Sequence, residues 1–165
     1  MDTFETMDWE QARSAASPIR FAVFVEEQNV PVEIELDDQD ALSIHVLASV
    51  DGRTVGTGRL LPPEADLAGA AVDLAPTSNI SIAAAGTGLT SHIGRMAVIK
   101  ACRGQGIGAR MLEVLVQRAR ERGDTRVVLS AQTHAIGFYR RYGFTEFGPI
   151  YLDAGIEHQS MHKFL

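Results

Sequence analysis

Residues Lys100–Gly123 read KACRGQGIGARMLEVLVQRARERG, with glycines at 104, 106 and 108 running into a segment of helical periodicity. Ile107, Met111, Leu115 and Ala119 recur at four-residue spacing and predict one apolar helix face, with arginines on the others. Gly123 is the expected stop. Three readings compete for the loop. A P-loop is excluded, because no GxxxxGK[ST] occurs in the chain. Gly104, Gly106 and Ala109 satisfy the spacing of a dinucleotide fingerprint. That fold needs an acid about 20 residues on, at the end of the next strand, and Ser130, Ala131 and Gln132 stand there instead. The third reading is an anion site. Backbone N–H groups at a helix start face a phosphate, glycines let the main chain come close, and Arg103 adds a fixed charge.

Working outward, HIGRMAVI (92–99) predicts the strand that feeds the loop, and RVVLSAQ (126–132) a buried strand after the helix. HAIGFYRRY (134–142) reads as a short helix closed by Gly143, and FTEFGPIYL (144–152) with EHQSMHKFL (157–165) as the last strands. Towards the N-terminus, SIHVLASV (43–50) and TVGTGRLL (54–61) flank Asp51-Gly52 as a hairpin. Before them, Asp8 is a good N-cap for WEQARSAASPIRFAVFVEEQ (9–28), a helix that Pro18 is expected to kink or split. Residues 62–91 are rich in Ala, Gly, Ser, Thr and Pro and read as a long flexible surface insertion in which NISIAAA (79–85) is the one candidate strand. The order hairpin, insertion, β-α-β-α-β-β predicts a mixed α/β sheet in a single domain spanning 1–165.

The composition fits one soluble globular domain: 165 residues, 45% hydrophobic and 22% charged. The start, MDTFETMDWEQ, carries acids where a signal peptide needs basic residues. No apolar run approaches the roughly 20 residues of a membrane span, so a cytoplasmic location is expected and a membrane partner is not. Cys102 is the single cysteine, and neither a disulfide nor a CxxC metal site is expected. The net charge of −6 is uneven. Met1–Asp51 holds 12 acids against Arg13 and Arg20, whereas the remainder is net positive by 4. A nucleic-acid partner is therefore not expected.

The segment GRMAVIKACRGQGIGARMLEVLVQRARERG followed by VVLSAQTHAIGFYRRYGF resembles the Gcn5-related N-acetyltransferase (GNAT) superfamily. Arg103, Gly106 and Gly108 match its [QR]-x-x-G-x-[GA] motif, and Ala135, Phe138, Tyr139, Gly143 and Phe144 match the later A-x-x-F-Y-x-x-x-G-F pattern. IRFAVFVEEQNVPVEIELDDQDALSIHVLA, with DAGIEHQSM near the end, resembles the ElaA-like branch. The resemblance implies acetyl transfer from acetyl-CoA directly to a primary amine. It places the pyrophosphate on Arg103, Gly104, Gln105, Gly106, Ile107 and Gly108, with Ala109 as a further contact, and the pantetheine on the main chain of Met96, Ala97 and Val98. It further implies a splay between that strand and the one through Leu129. A backbone N–H near Val98 would then polarise the acetyl carbonyl. Tyr139 matches the general acid, and Gln132 stands where a cofactor contact is expected.

The amine is mostly protonated at pH 7, so a base is required. Glu26, Glu27, Glu33 and Glu35 are the candidates, with His45 and His158 assigned to the acceptor pocket and next in line. Seven acids between Glu26 and Asp40 lead to the expectation of a cationic acceptor, of carboxylates that raise one another's pKa, and of rates that fall with salt. The other reading of the same residues is a coenzyme A-binding sensor without turnover. The acceptor's identity is open between small-molecule and protein amines, as is a homodimer.

Overall fold

The hairpin at Asp51-Gly52 forms as a two-residue turn with both residues at positive φ, 48° and 79°, a geometry whose twist matches that of the strands it joins. It connects β2 (Ile44–Val50) to β3 (Arg53–Leu60). The computed structural model describes residues 1–65 and 88–165. In it, β1 (Asp2–Met7) lies antiparallel to β2, and β5 (Leu89–Val98) antiparallel to β3. Next, β6 (Arg126–Gln132) runs parallel to β5, and β9 (Ile156–Phe164) antiparallel to β6. Short β4 (Glu64–Ala65) pairs with the start of β5, while β7 (Thr145–Glu146) and β8 (Tyr151–Asp153) pair with β9. This is the mixed sheet expected from the element order.

The apolar face of α3 (Ile107–Arg122) packs on this sheet as the periodicity predicts. Ile107, Met111, Leu115 and Ala119 are all buried in one core with Val127, Leu129 and Met161. Gly123 ends the helix at φ 92°, donating to Arg120 O, while Asp124 N–H reaches back to Ala119 O. That is a left-handed C-terminal cap, where glycine avoids a Cβ clash.

Five expectations change. The strand β1 was not expected, because acids on its exposed positions hide the alternation that sets Phe4 against the core. The helix after Asp8 is α-helical over Trp9–Arg20 (α1), with Pro18 inside it, and continues as a π-helical segment over Phe21–Glu27. The change of pitch falls just beyond the proline, whose missing N–H already removes one rung. The short α2 (Val32–Glu35) was not expected either. The 62–91 insertion is narrower than its composition suggests, since 64–65 and 89–91 are strand, and the NISIAAA expectation lies outside the described residues. Near the C-terminus, FTEFGPIYL is two short strands, β7 and β8, separated by irregular backbone around Gly148 and Pro149.

Arg20, the last residue of α1, is 1% exposed and holds the acidic segment onto the sheet. Its Nε donates to Glu35 Oε1 (2.5 Å) and its terminal nitrogens to Asp40 (2.7 and 3.1 Å). Arg59 on β3 donates to Asp40 (2.9 Å) and Asp37 (2.6 and 2.8 Å). Arg95 on β5 donates to Glu35 O, Ile34 O and Asp37. Three carboxylates thus meet three guanidiniums, correcting the expectation that the acids raise one another's pKa. Burial pushes the Asp40 carboxyl up, but Arg20 and Arg59 outweigh it and hold it below its usual value. Asp37 is held down first by its hydrogen bonds from Arg59.

Removing one partner strands the others in a dry site. Asp40→Asn should lower the unfolding free energy in urea by about 3–5 kcal/mol. Depressed carboxyls stabilise above their unfolded pKa, near 3.9, and lose that contribution as pH falls through their folded values. The parent should therefore lose stability more steeply than the variant below about pH 4.

Candidate active site

Hydrogen bonding between β5 and β6 covers Thr90–Ile93 against Arg126–Leu129 and stops there. Beyond that point β5 stays with β3 and β6 stays with β9, so the two parallel strands part. Arg95 sits at the divergence with φ 50°, in a bulge where Arg95 and Met96 of β5 stand against the single Gly58 of β3. The gap is a cavity of about 480 Å³. Ile99 N–H donates to Val55 O on β3 (2.9 Å). Strand alternation therefore turns the neighbouring Val98 N–H and C=O towards the gap. Met96, Ala97 and Val98 all line it, as do Arg103, Gln132, Glu35, Tyr139 and His158.

The glycine loop adjoins this gap through Arg103, the loop residue that lines it. Gly104 and Gly106 have φ of 78° and 81°, and no atom lies within 4 Å of where a Cβ would stand on either. The first helical hydrogen bond runs from Arg110 N–H to Gly106 O (3.1 Å), leaving Ile107, Gly108 and Ala109 N–H without helical acceptors. The positive end of a 16-residue helix points into the same space. A Cβ on Gly108 would come within 3.8 Å of Phe138 and 3.9 Å of Val98, so the loop rests on the element that carries Tyr139. Gln105 lies on the exposed side, reaching Ala101 O. The Arg103 guanidinium is already engaged: Nε donates to Val98 O (2.9 Å) and the terminal nitrogen to both Glu27 oxygens (3.0 and 2.9 Å).

Tyr139, on α4 (Ile136–Arg141), packs edge-on against Phe138 and Phe144. Burial raises its phenol to about 12, and its hydroxyl makes no hydrogen bond to another described residue. Gln132 lines the cavity while donating to Gln28 Oε1 (2.8 Å), bridging β6 to the π-helical segment. His158 faces Gln132 across the β6–β9 ladder. Its Nδ1 meets Ile156 O at 2.7 Å. A carbonyl only accepts, so Nδ1 carries the proton and the Nε2 lone pair is free.

The four glutamates separate. Glu35 lines the cavity but is 5% exposed and bound to Arg20. Glu27 is held by Arg103, and Glu26 and Glu33 are exposed and outside the lining. His45 is away from the cavity: buried at 1% exposure, it bonds Asp40 O and packs on Trp9, and burial lowers its pKa. Sequence reasoning missed Arg95, Ser130 and Asp153, which also line the gap. Arg95 meets Ile34 and Glu35 across some sixty residues of sequence, and no local spacing signals that.

Among the described residues no cluster of three or more His, Cys, Asp or Glu side chains could hold a metal ion, and no helix is long and apolar enough to cross a membrane.

The fold is shared with known proteins. Residues 59–165 match the acetyltransferase (GNAT) domain family. The uncharacterized N-acetyltransferase YjcF of Bacillus subtilis is 31% identical over 146 residues, covering 88% of this chain and 87% of that one. The crystal structure of an acyl-CoA N-acyltransferase from Pseudomonas aeruginosa superposes with a TM-score of 0.76 at 29% identity, over 99% of both chains. That of Escherichia coli ElaA gives 0.74 at 26% identity, again over 99% of each. With the domain match spanning well over half its length and a relative of this similarity along most of the rest, the chain belongs to the GNAT family of acetyltransferases.

Proposed function

We propose that the chain moves an acetyl group from acetyl-CoA directly to a primary amine, with no acyl-enzyme stage. The observation that carries this reading is the meeting of the Val98 peptide edge and the Tyr139 phenol in one cavity, with the glycine-lined start of α3 packed beside Val98. The open space over Gly104 and Gly106 fits a pyrophosphate against three free N–H groups. Acetyl-CoA supplies the thioester carbonyl on which transfer depends. Val98 N–H is placed to donate to that oxygen as it gains charge. For Val98 O to accept a pantetheine amide as well, Arg103 Nε must yield, its guanidinium then being available to phosphate.

The amine must lose a proton before it attacks. His158 is the base, because its Nε2 lone pair is free inside the cavity while each glutamate is either bound to arginine or outside it. Tyr139 is the donor to the departing sulfur. A phenol at about 12 is a weak acid, but the burial that raises it raises a thiolate's demand for a proton too. A sensor without turnover gives no reason for an unpartnered phenol in the gap. The acceptor enters as an ammonium, and its attraction rests on Asp153, which lines the cavity, rather than on the internally matched Glu35, Asp37 and Asp40.

Gly106→Val forces a branched residue into φ 81° and fills the space above the helix start. Acetyl-CoA affinity by calorimetry should fall at least tenfold in folded protein, by about the loss of one charge-assisted contact. Unchanged affinity would remove the pyrophosphate assignment. Tyr139→Phe keeps the ring, so turnover should drop by roughly 10² to 10⁴ while acetyl-CoA affinity holds. Because the phenol stays protonated to about pH 12, the parent should show no alkaline loss of rate from Tyr139 between pH 8 and about 10.5. His158→Ala should cost a similar factor, roughly 10², and added imidazole should restore part of the rate. A variant with parent-like turnover would send the search for the base elsewhere.

A further inference from the structure

The cavity lining includes apolar side chains on the acceptor side, where the sequence suggested a row of acids. Phe24, Val30 and Ile34 line one bank and Ile156 the other. Ile34 is 51% exposed, and Val32 and Leu36 beside it are exposed by 44% and 51%. Of the three, Ile34 also lines the cavity, so an exposed apolar side chain stands at its mouth, of the kind that marks a binding surface.

The charges on these walls are mostly spent. Two carboxylates line the cavity among the described residues, Glu35 and Asp153. Glu35 is tied to Arg20, and the nearby cation Arg95 is turned onto Asp37 and two backbone carbonyls. Asp153, at the β8–β9 turn, is exposed and has no ion-pair partner among the described residues. Asp153 and His158 suit one ammonium. Gln28, Ser130 and Gln132 also line the cavity but carry no charge, so a second ammonium would lose water without meeting a second unpaired carboxylate.

We propose that the preferred acceptor is a primary monoamine on an apolar body, an arylalkyl or branched alkyl amine. The proposal rests on the amine-acetylating reading above. It separates this site from one built for polyamines or amino sugars, which needs several carboxylates free at once.

The test follows thiol release from acetyl-CoA by the full chain, with 2-phenylethylamine and 3-methylbutylamine set against putrescine, spermidine and kanamycin. The apolar monoamines should show kcat/KM about tenfold or more above the others, the scale on which a hydrophobic pocket discriminates. Ile34→Gln should lower kcat/KM for 2-phenylethylamine about tenfold while calorimetric acetyl-CoA affinity stays at the parent value, and Ile34→Leu should keep the parent preference. Equal or better use of spermidine, putrescine or kanamycin overturns the proposal, as does an Ile34→Gln variant with unchanged selectivity. If acetyl-CoA binds but no free amine is acetylated, or only peptide amines are, the apolar-monoamine assignment falls and the cofactor reading stands. If acetyl-CoA does not bind at all, the underlying reading falls and the proposal with it.

Discussion

The parting of β5 from β6 after Ile93 and Leu129 is the constraint on which everything else depends. Two parallel strands normally continue their ladder, and an unpaired edge inside a protein is costly unless another group occupies it. Here the separation is held by covalent and ionic means together. Arg95 takes a left-handed φ that bulges β5, and its side chain is anchored to the Ile34 and Glu35 carbonyls and to Asp37. The strain of a non-glycine residue at positive φ, of order 1–3 kcal/mol, persists because these contacts over-determine it.

Behind that anchor lies the buried assembly of Arg20 and Arg59 with Glu35, Asp37 and Asp40. Desolvating so many charges makes such an assembly a weak source of net stability, although losing any one member is expensive. Its consequence is positional. It ties the end of α1, the segment 35–40 and the middle of β3 into one unit, so the π-helical stretch and α2 are presented at a fixed place over the splay. A set of apolar residues of equal volume would hold the same space without specifying which residue meets which.

The cavity between the strands is asymmetric in its chemistry. Beside its Val98 and Arg103 end stands the start of α3, whose backbone N–H groups and dipole favour negative charge. At the other are apolar side chains, His158 and the exposed Asp153. Arg103, bonded at once to Val98 O and to Glu27 of the π-helical segment, spans the two ends.

What the sequence determined by itself is local. The α3 face at 107, 111, 115 and 119, its stop at Gly123, the Asp51-Gly52 turn and the glycine-rich entry to α3 are all set by spacing and backbone preference, and each stands where the reading put it. The mixed sheet followed from the order of these elements. Tertiary structure alone decided the fate of the charges. The acids from Glu26 to Asp40 read as one negative surface. In the fold Glu35, Asp37 and Asp40 turn inward to arginines 15 to 60 residues away, and Glu27 meets Arg103 across 76. It likewise separated His45, buried against Trp9, from His158, whose free Nε2 depends on a carbonyl two residues back and on the ladder opposite Gln132. Periodicity and turn chemistry are written in neighbouring residues, whereas the environment of a charge depends on which distant groups share its burial.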